Sequence, residues 1–370
     1  RPGFPFYWYA ECDMTFNDRY WWYSSLLLRI ATHEAGHFVG LADLYNGDPE
    51  DDDEVMANGA DLWWGDAMGV RHLYYYLRAP FTVGHSNQGL GAGIANLDYD
   101  SLGDVVLAWA DNPWGENRIW WKVGRDISST DGSIPSWGTT RQATFWIGAE
   151  NSGVGSALGL VDSDSRSDLL VAWVEAPSGS DRIHYRIGWD ISSYGYIGSW
   201  SSLKTMPGYI GSSTYGLGAA LVNIGGSSRP DLVLSWMDSY SGYPRYRIGW
   251  DISTSGSASW WGSVVTIPWT SYGGYFGLGL DFGDIDQNGI LDMVISYRWA
   301  SIRIGWDIGT SGQVVGWSRE FFVTWGPELP GDFGLGMAVY QFGTNPRLGM
   351  LVPGILGYVW GADSVRYIWA

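Results

Sequence analysis

Short apolar runs separated by Gly-, Ser- and Asp-rich turns fill the chain from Gly89 onward. One kind of run begins with Asp and then stays almost entirely apolar, as in Asp104–Trp109 and Asp168–Trp173. Runs of this length, bounded by turn residues, are typical of buried β-strands. The run that follows has nearly the same sequence in successive units, and reads Y-R-I-G-W-D at both Tyr185–Asp190 and Tyr246–Asp251. The pattern therefore predicts a mainly β protein built from repeated strands.

A G-x-G step opens each of five units, at intervals of about 60 residues. Each step leads to an apolar strand, an acidic loop and three further strands. One four-stranded unit cannot bury both of its faces alone, whereas a closed ring of such units can. The repeat therefore favours a five-bladed β-propeller over the alternative, a row of five sandwich modules. The five steps are Gly89–Gly91, Gly153–Gly155, Gly216–Gly218, Gly277–Gly279 and Gly334–Gly336.

The ends of the repeat region predict how the ring closes. The last unit stops after Val365–Trp369, its third strand, and Ala79–Val83 precedes the first G-x-G step as a spare strand. We expect these two segments to pair, with residues 79–370 forming the propeller. Most tryptophans recur at fixed strand positions and are expected to pack between blades, while the non-repeating Trp269 and Trp325 are candidates for a ligand platform.

Each first strand is followed by a loop with oxygen-bearing side chains at alternating positions. With a glycine at the sixth position for the turn, such a loop can wrap a hard cation. The alternative is that these side chains only cap turns. We expect the second loop to bind more weakly because Leu160 occupies its first position, and the third and fifth loops to bind no cation. The candidate ligands are Asp284, Asp286, Asn288 and Asp292 in the fourth unit, Asn96, Asp98, Asp100 and Asp104 in the first, and Asp162, Asp164 and Asp168 in the second.

These loops resemble the calcium loops of integrin-type FG-GAP/VCBS-like propellers. The resemblance implies Ca²⁺ as a structural cofactor, because carboxylates this close repel one another without a cation.

A separate motif, H-E-A-G-H-F-V-G-L-A-D, occupies His33–Asp43. Histidines four residues apart lie on one face of a helix, so His33 and His37 can hold one metal while Glu34 lies beside it. Gly40 permits a chain reversal, after which Asp43 can supply a third ligand. Three protein ligands and an open fourth position are what a catalytic Zn²⁺ requires.

This motif resembles the signature of metzincin zinc metallopeptidases, with aspartate as the third ligand and Met56 in the methionine turn. The resemblance implies Zn²⁺ on His33, His37 and Asp43, with Glu34 as the catalytic base. Only 32 residues precede His33, whereas the family has a sheet of more than about a hundred residues there. We therefore expect residues 1–78 to form a small α-rich partial metzincin domain, and an upstream part of the catalytic domain to be a further partner.

Composition narrows the function further. The net charge of −18 disfavours binding to nucleic acid, because it repels the phosphate backbone. No apolar stretch of the sequence is long enough to span a membrane. Cys12 is the only cysteine, so no internal disulfide can form. Absence of disulfides usually indicates a reducing compartment, yet extracellular bacterial and archaeal proteins often rely on calcium and packing instead, so cysteine usage does not decide the localisation. The acidic run Pro49–Glu54 is interpreted as a solvated loop, with a calcium loop as the alternative.

Two functions follow from these features. The first is an extracellular zinc metallopeptidase whose propeller binds a peptide or protein substrate or a surface. The second is a non-catalytic adhesion or structural protein with a vestigial zinc site, which binds a glycan or associates with itself into filaments.

Overall fold

The computed structural model describes fourteen stretches of the chain, all of them beyond residue 75. The chain divides into two units, Arg1–Tyr75 and Tyr76–Ala370, and the described residues belong to the second. The zinc motif at His33–Asp43 therefore lies outside them. The described stretches are 76–83, 89–111, 117–128, 132–148, 151–162, 164–175, 181–211, 215–238, 242–268, 277–297, 301–322, 332–341, 348–356 and 363–369.

The regular secondary structure of the described residues consists of β-strands, which form five antiparallel sheets. Four of the sheets share one order, in which three long strands are followed by two strands of two residues that both pair with the third. The first of these sheets consists of β2 (Leu90–Ala95), β3 (Gly103–Asp111), β4 (Arg118–Ile127), β5 (Ser136–Trp137) and β6 (Arg141–Gln142), and the second of β7 (Asn151–Gly159), β8 (Asp168–Glu175), β9 (Arg182–Trp189), β10 (Ser199–Trp200) and β11 (Lys204–Thr205). The third consists of β12 (Tyr215–Val222), β13 (Asp231–Met237), β14 (Pro244–Trp250), β15 (Trp260–Trp261) and β16 (Val265–Thr266), and the fourth of β17 (Leu278–Gly283), β18 (Asp292–Tyr297), β19 (Ser301–Trp306), β20 (Gly316–Trp317) and β21 (Phe321–Phe322).

The remaining sheet joins the two ends of the unit. It contains β1 (Tyr76–Val83), β22 (Asp332–Leu335), β23 (Ala338–Gln341), β24 (Leu348–Leu356) and β25 (Asp363–Trp369). β1 pairs antiparallel with β25, from Tyr76 opposite Ile368 to Val83 opposite Asp363. The strand before the first G-x-G step thus completes the last sheet, as the sequence predicts.

The innermost strands of neighbouring sheets touch at the G-x-G glycines. A Cβ on Gly91 would lie 2.2 Å from the main-chain N of Ser156 in the next sheet, so only glycine fits there. The same close approach joins Gly155 to Ala219, Gly218 to Leu280, Gly279 to Gly336, and Gly336 back to Ala92. The sheets therefore form a closed ring, and the fold is a β-propeller in which each sheet is a blade. The blades are numbered below by the order of their G-x-G steps.

The core lies between adjacent blades. One buried cluster combines Leu170 and Ile187 of the second blade with Leu217 and Leu232 of the third. Trp109, Trp173 and Trp236 lie near the ends of the second strands of three blades and are buried, which confirms the packing role predicted for the repeated tryptophans. Trp146 and Trp260 lie on the surface.

In the first four blades the fourth strand is split into two short strands, where the sequence predicts one piece. In the second blade the hydroxyl of Ser201 accepts the N–H of Ile187 at 2.9 Å, and in the fourth blade Ser318 accepts that of Ile304 at 2.9 Å. A side chain replaces a main-chain acceptor at the split, which interrupts the ladder between β10 and β11 and between β20 and β21. No helix with the length and hydropathy needed to cross a bilayer occurs among the described residues.

Candidate functional site

An aspartate lies at the start of the second strand in each of the first four blades, and its carboxylate holds the preceding loop against the third strand. Asp168 is fully buried, with one oxygen accepting the N–H of Val161 at 2.9 Å and the other that of Asp190 at 3.0 Å. A carboxylate that accepts two main-chain donors fixes both segments at once. The same pair of bonds is made by Asp104 with Leu97 and Asp126, by Asp231 with Ile224 and Asp251, and by Asp292 with Ile285 and Asp307.

The loop side chains fold back on their own backbone in Asx turns. In the fourth blade Asp284 accepts the N–H groups of Asn288 and Gly289, both at 2.9 Å, and Asn288 accepts that of Ile290 at 2.7 Å. At the position of Asn288, Asp100 in the first blade and Asp164 in the second accept the N–H two residues further on, at 2.6 and 2.8 Å. The second carboxylate oxygen of Asp100 and of Asp164 takes no part in these turns, and each oxygen that accepts an N–H keeps a lone pair for a cation.

A further acidic position lies at the end of the third strand in each of the first four blades. Asp126, Asp190, Asp251 and Asp307 all have a positive φ, between 51° and 62°, a conformation that aspartate tolerates better than most residues. Sequence reasoning treated this position as part of the repeated strand sequence and missed it as a candidate metal ligand. Its signal was the acidic residue that follows the same strand in four consecutive blades.

Three clusters bring carboxylate oxygens within 4.8 Å of one another. In the first and second blades the cluster contains two predicted loop ligands and the aspartate at the end of the third strand. In the fourth blade it contains three predicted ligands. The clusters are Asp98, Asp104 and Asp126; Asp162, Asp168 and Asp190; and Asp284, Asp286 and Asp292.

Burial and mutual repulsion make these carboxylates hard to ionise together. Burial raises the pKa of Asp104 and of Asp168 to about 6, although main-chain donors partly oppose the shift. Burial and the nearby charges of Asp100 and Asp98 raise the pKa of Asp126. The Asp164 carboxyl lies within hydrogen-bonding distance of Asp190 and raises the pKa of Asp190. A divalent cation would relieve this repulsion and hold the groups ionised.

Buried oxygens without a donor provide an independent test of fit. Oδ1 of Asn96, at the first loop position of the first blade, is buried and has no hydrogen-bond partner among the described residues. Oδ1 of Asp190 in the second blade is likewise buried and has no hydrogen-bond partner among the described residues. A buried acceptor without a donor is costly unless a cation takes the donor's place. The all-oxygen set is the one that Ca²⁺ prefers, so the residues present fit that ion.

The third blade keeps the two hydrogen bonds of the strand aspartate but lacks the carboxylates of the loop. Gly225 and Ser227 stand where the other loops have carboxylates or Asn, and the Ser227 hydroxyl accepts the N–H of Arg229 at 3.1 Å. Asn223 donates its side-chain amide to the Ser227 carbonyl oxygen. The loop therefore closes by hydrogen bonds alone. In the fifth blade Gln341 ends β23 and Gly349 lies in β24, while Gly343 and Asn345 lie outside the described residues.

Several predicted residues also lie outside the described part of the chain. They are His33, Glu34, His37, Asp43 and Met56 of the zinc motif, Cys12, the acidic run Pro49–Glu54, and the tryptophans Trp269 and Trp325.

Comparisons with known proteins give distant structural likenesses. No family model matches the chain, and no curated protein matches it. Among solved structures, a point mutant of the Aleuria aurantia lectin in complex with alpha-methyl-L-fucoside is similar over 76% of this chain and 77% of that chain, with 12% identity and a TM-score of 0.44. A mercury derivative of the fucose-specific lectin from Aleuria aurantia is similar over 78% and 97%, with 10% identity and a TM-score of 0.39. A mutant NanB sialidase from Streptococcus pneumoniae is similar over 68% and 35%, with 17% identity and a TM-score of 0.39. Likenesses at this level assign no activity or ligand to this chain.

Proposed function

We propose that this chain is a non-catalytic extracellular binding protein, in which a five-bladed β-propeller of the FG-GAP/VCBS type is held in shape by Ca²⁺ and binds a glycan or another extracellular surface. The observation that carries the proposal is the set of three carboxylate clusters, each with oxygens within 4.8 Å of one another. Exposed loops that hold calcium in this way have affinities suited to extracellular concentrations.

The ligands for each ion come from both ends of the acidic loop and from the third strand. In the first blade they would be Asn96, Asp98, Asp100, Asp104 and Asp126; in the second, Asp162, Asp164, Asp168 and Asp190; in the fourth, Asp284, Asp286, Asn288, Asp292 and Asp307. Bound Ca²⁺ supplies positive charge that offsets the repulsion among these carboxylates. The protein's own part is to fix the loop against the third strand, so that the blade edge is rigid before a ligand arrives.

Exposed aromatic rings at the blade ends remote from the acidic loops support a binding role. Arginines lie over exposed aromatic rings at several blade edges, with Arg118 4.4 Å from the ring centre of Trp146 and Arg182 4.8 Å from that of Tyr209. Aromatic rings that stay on the surface and are stiffened by a stacked guanidinium are typical of binding surfaces.

Thermal unfolding of the full chain tests the calcium sites. We expect CaCl2 added after EGTA treatment to raise Tm by about 5 °C or more, since saturation of even one site adds about 3 kcal/mol at a hundredfold excess over Kd. MgCl2 at the same concentration should raise Tm much less, because Mg²⁺ demands tighter octahedral geometry. An unchanged Tm in CaCl2 would refute the calcium sites. Binding to glycan arrays or cell surfaces, with calcium present, tests the binding role.

The zinc motif favours a second candidate function, an extracellular zinc metallopeptidase of the metzincin type. The sequence places His33, His37 and Asp43 as ligands, Glu34 as the proton acceptor and Met56 as apolar support. Equilibrium dialysis against Zn²⁺ and cleavage of a casein substrate test this candidate. Peptidase activity that disappears in Glu34→Ala, with Zn²⁺ still bound, would support it over the non-catalytic proposal.

A further inference from the structure

A cleft of about 520 Å³ opens between the outer strands of the first and second blades. The first blade contributes Trp121, Arg141 and Gln142 to its walls, and the second contributes Arg186, Tyr196 and Trp200. Its volume lies in the range of small-molecule binding sites. Two faces of different blades thus meet at one concave surface that none of the acidic clusters occupies.

Two of the lining residues depart from the repeat. Arg141 lies opposite Trp121 on β4, and the residues in the same register elsewhere are Lys204, Val265 and Phe321. Tyr196 accepts the N–H of Ser192 in the turn after the third strand, at 2.9 Å. Ser133, Ser257 and Gln313 make the same bond in the other blades. The fold therefore forms without this arginine and this tyrosine, so their presence calls for a reason other than folding.

The two residues build one surface. The Arg141 guanidinium lies 3.7 Å from the centre of the Tyr196 ring, and its Nε donates to the carbonyl oxygen of Tyr194 at 3.4 Å. Tyr196 remains 61% exposed, so its other face is open to a ligand. Below it, Trp121 and Trp200 meet edge to face at 5.6 Å. The cleft thus offers flat apolar rings beside a guanidinium.

The charge of the cleft is opposite to that of the molecule. Arg141 and Arg186 line it, and none of its described lining residues is acidic, although the chain has a net charge of −18. Arg186 donates through Nη1 to the Ser201 carbonyl oxygen at 2.9 Å, while its buried Nε has no partner among the described residues. Two guanidinium groups that line one cleft, with N–H donors left over after their bonds within the protein, fit a small anion.

We propose that this cleft binds an acidic saccharide, a sugar ring that bears a carboxylate. This inference rests on the proposed binding function and names its site. The C–H face of the sugar ring packs on Tyr196, as sugar and aromatic faces do, and the carboxylate takes the paired N–H donors of arginine. A long polyanion would be repelled by the rest of the surface, which favours a ligand with few charges. An acidic peptide has the carboxylate and lacks the ring.

Calorimetric titration of the full chain in calcium tests the site. The probes are trigalacturonate and sialyllactose, with the methyl ester of trigalacturonate and lactose as their neutral counterparts. We expect at least one acid to bind about tenfold or more tightly than its neutral counterpart, because a charge-assisted pair is lost in the latter.

Variants that copy other blades locate the site without disturbing the fold. Tyr196→Ser restores the residue found at Ser257, and Arg141→Val restores the one found at Val265. Each should weaken binding of the acidic probe about tenfold or more. Arg229→Gln is the control, since it removes an exposed arginine of the third blade outside the cleft and should keep affinity within about twofold.

Three results would overturn the inference. They are absence of binding by both acidic probes, unchanged affinity in both cleft variants, and binding of hexaglutamate as tightly as of the saccharides. A Tm that does not respond to calcium, together with saccharide binding that depends on Arg141, would refute the calcium proposal and leave the cleft standing. A Tm that responds to calcium without saccharide binding would do the reverse.

Discussion

The main-chain N–H of Asp190 donates to a buried oxygen of Asp168 over 3.0 Å, and this one bond places the third strand of the second blade against its acidic loop. Because Asp190 has a φ of 57°, its carboxyl group turns towards Asp162 and Asp164 instead of continuing along the strand. The strand end thereby offers a carboxylate to the cluster that we propose binds Ca²⁺.

Removing the charge of Asp190 should weaken calcium binding. We expect Asp190→Asn to reduce the calcium-dependent rise in Tm, because Asn supplies a neutral oxygen where the cluster supplies a carboxylate. Asp251→Asn is the matched control: Asp251 has the same backbone conformation, and the loop facing it has Gly225 and Ser227 in place of carboxylates. Scanning calorimetry of both variants in EGTA and in CaCl2 gives the comparison. Equal losses of the calcium response would contradict the role given to Asp190.

The glycines of the inner strands should tolerate no side chain. Gly91→Ala places a Cβ 2.2 Å from the Ser156 main-chain N, so the first two blades must separate. We expect a loss of about 3 kcal/mol in the free energy of unfolding, at the upper end of overpacking effects. Gly316→Ala is the control, because a Cβ there meets nothing within 4 Å, and its effect should stay within about 0.5 kcal/mol. Chemical denaturation would contradict the ring contact if the two variants were equally stable.

The ring was predictable because its signals are long-range repeats. The G-x-G steps and the unpaired strand Ala79–Val83 can be recognised in the amino-acid sequence, and β1 pairs with β25 as closure of the ring requires. The place of Asp190 in the acidic cluster was hidden because it depends on a positive φ, which a strand-like sequence does not reveal. The cleft was hidden for another reason: Arg141 and Tyr196 come from different blades and meet only through the ring.

Tyrosine hydroxyl groups form hydrogen bonds between neighbouring blades at two places, Tyr246 and Tyr99. Tyr246 on β14 donates to the carbonyl oxygen of Gly312 in the fourth blade at 2.7 Å, and both groups are buried from solvent. We expect Tyr246→Phe to lower the free energy of unfolding by about 1–2 kcal/mol, since a buried carbonyl loses its donor. Tyr99→Phe removes an exposed hydroxyl that reaches Ser165 at 3.3 Å, and should cost less than about 0.5 kcal/mol. Equal effects in urea denaturation would show that the buried bond adds nothing.

Asp281 is an acidic residue where the other blades have glycine or alanine. Gly93, Ala157, Ala220 and Ala338 occupy the same register on the inner strands. The Asp281 carboxyl accepts the N–H of Val339 across the blade boundary at 2.7 Å and that of Phe282 at 2.9 Å. Burial raises the pKa of Asp281 to about 7, against the opposing effect of these two donors.

This shift predicts that stability falls as pH rises. The folded pKa lies above the unfolded value near 4, so the protonated form is favoured by folding, and its contribution is complete below pH 4 and lost as pH passes 7. With saturating calcium to keep the acidic clusters bound, Tm should drop by about 3 °C or more between pH 5.5 and pH 8. Asp281→Asn cannot ionise and should lose that part of the pH dependence while keeping an acceptor for Val339. Calorimetric scans across this range decide the matter, because parallel pH profiles in the two proteins would mean that Asp281 ionises without strain at the blade boundary.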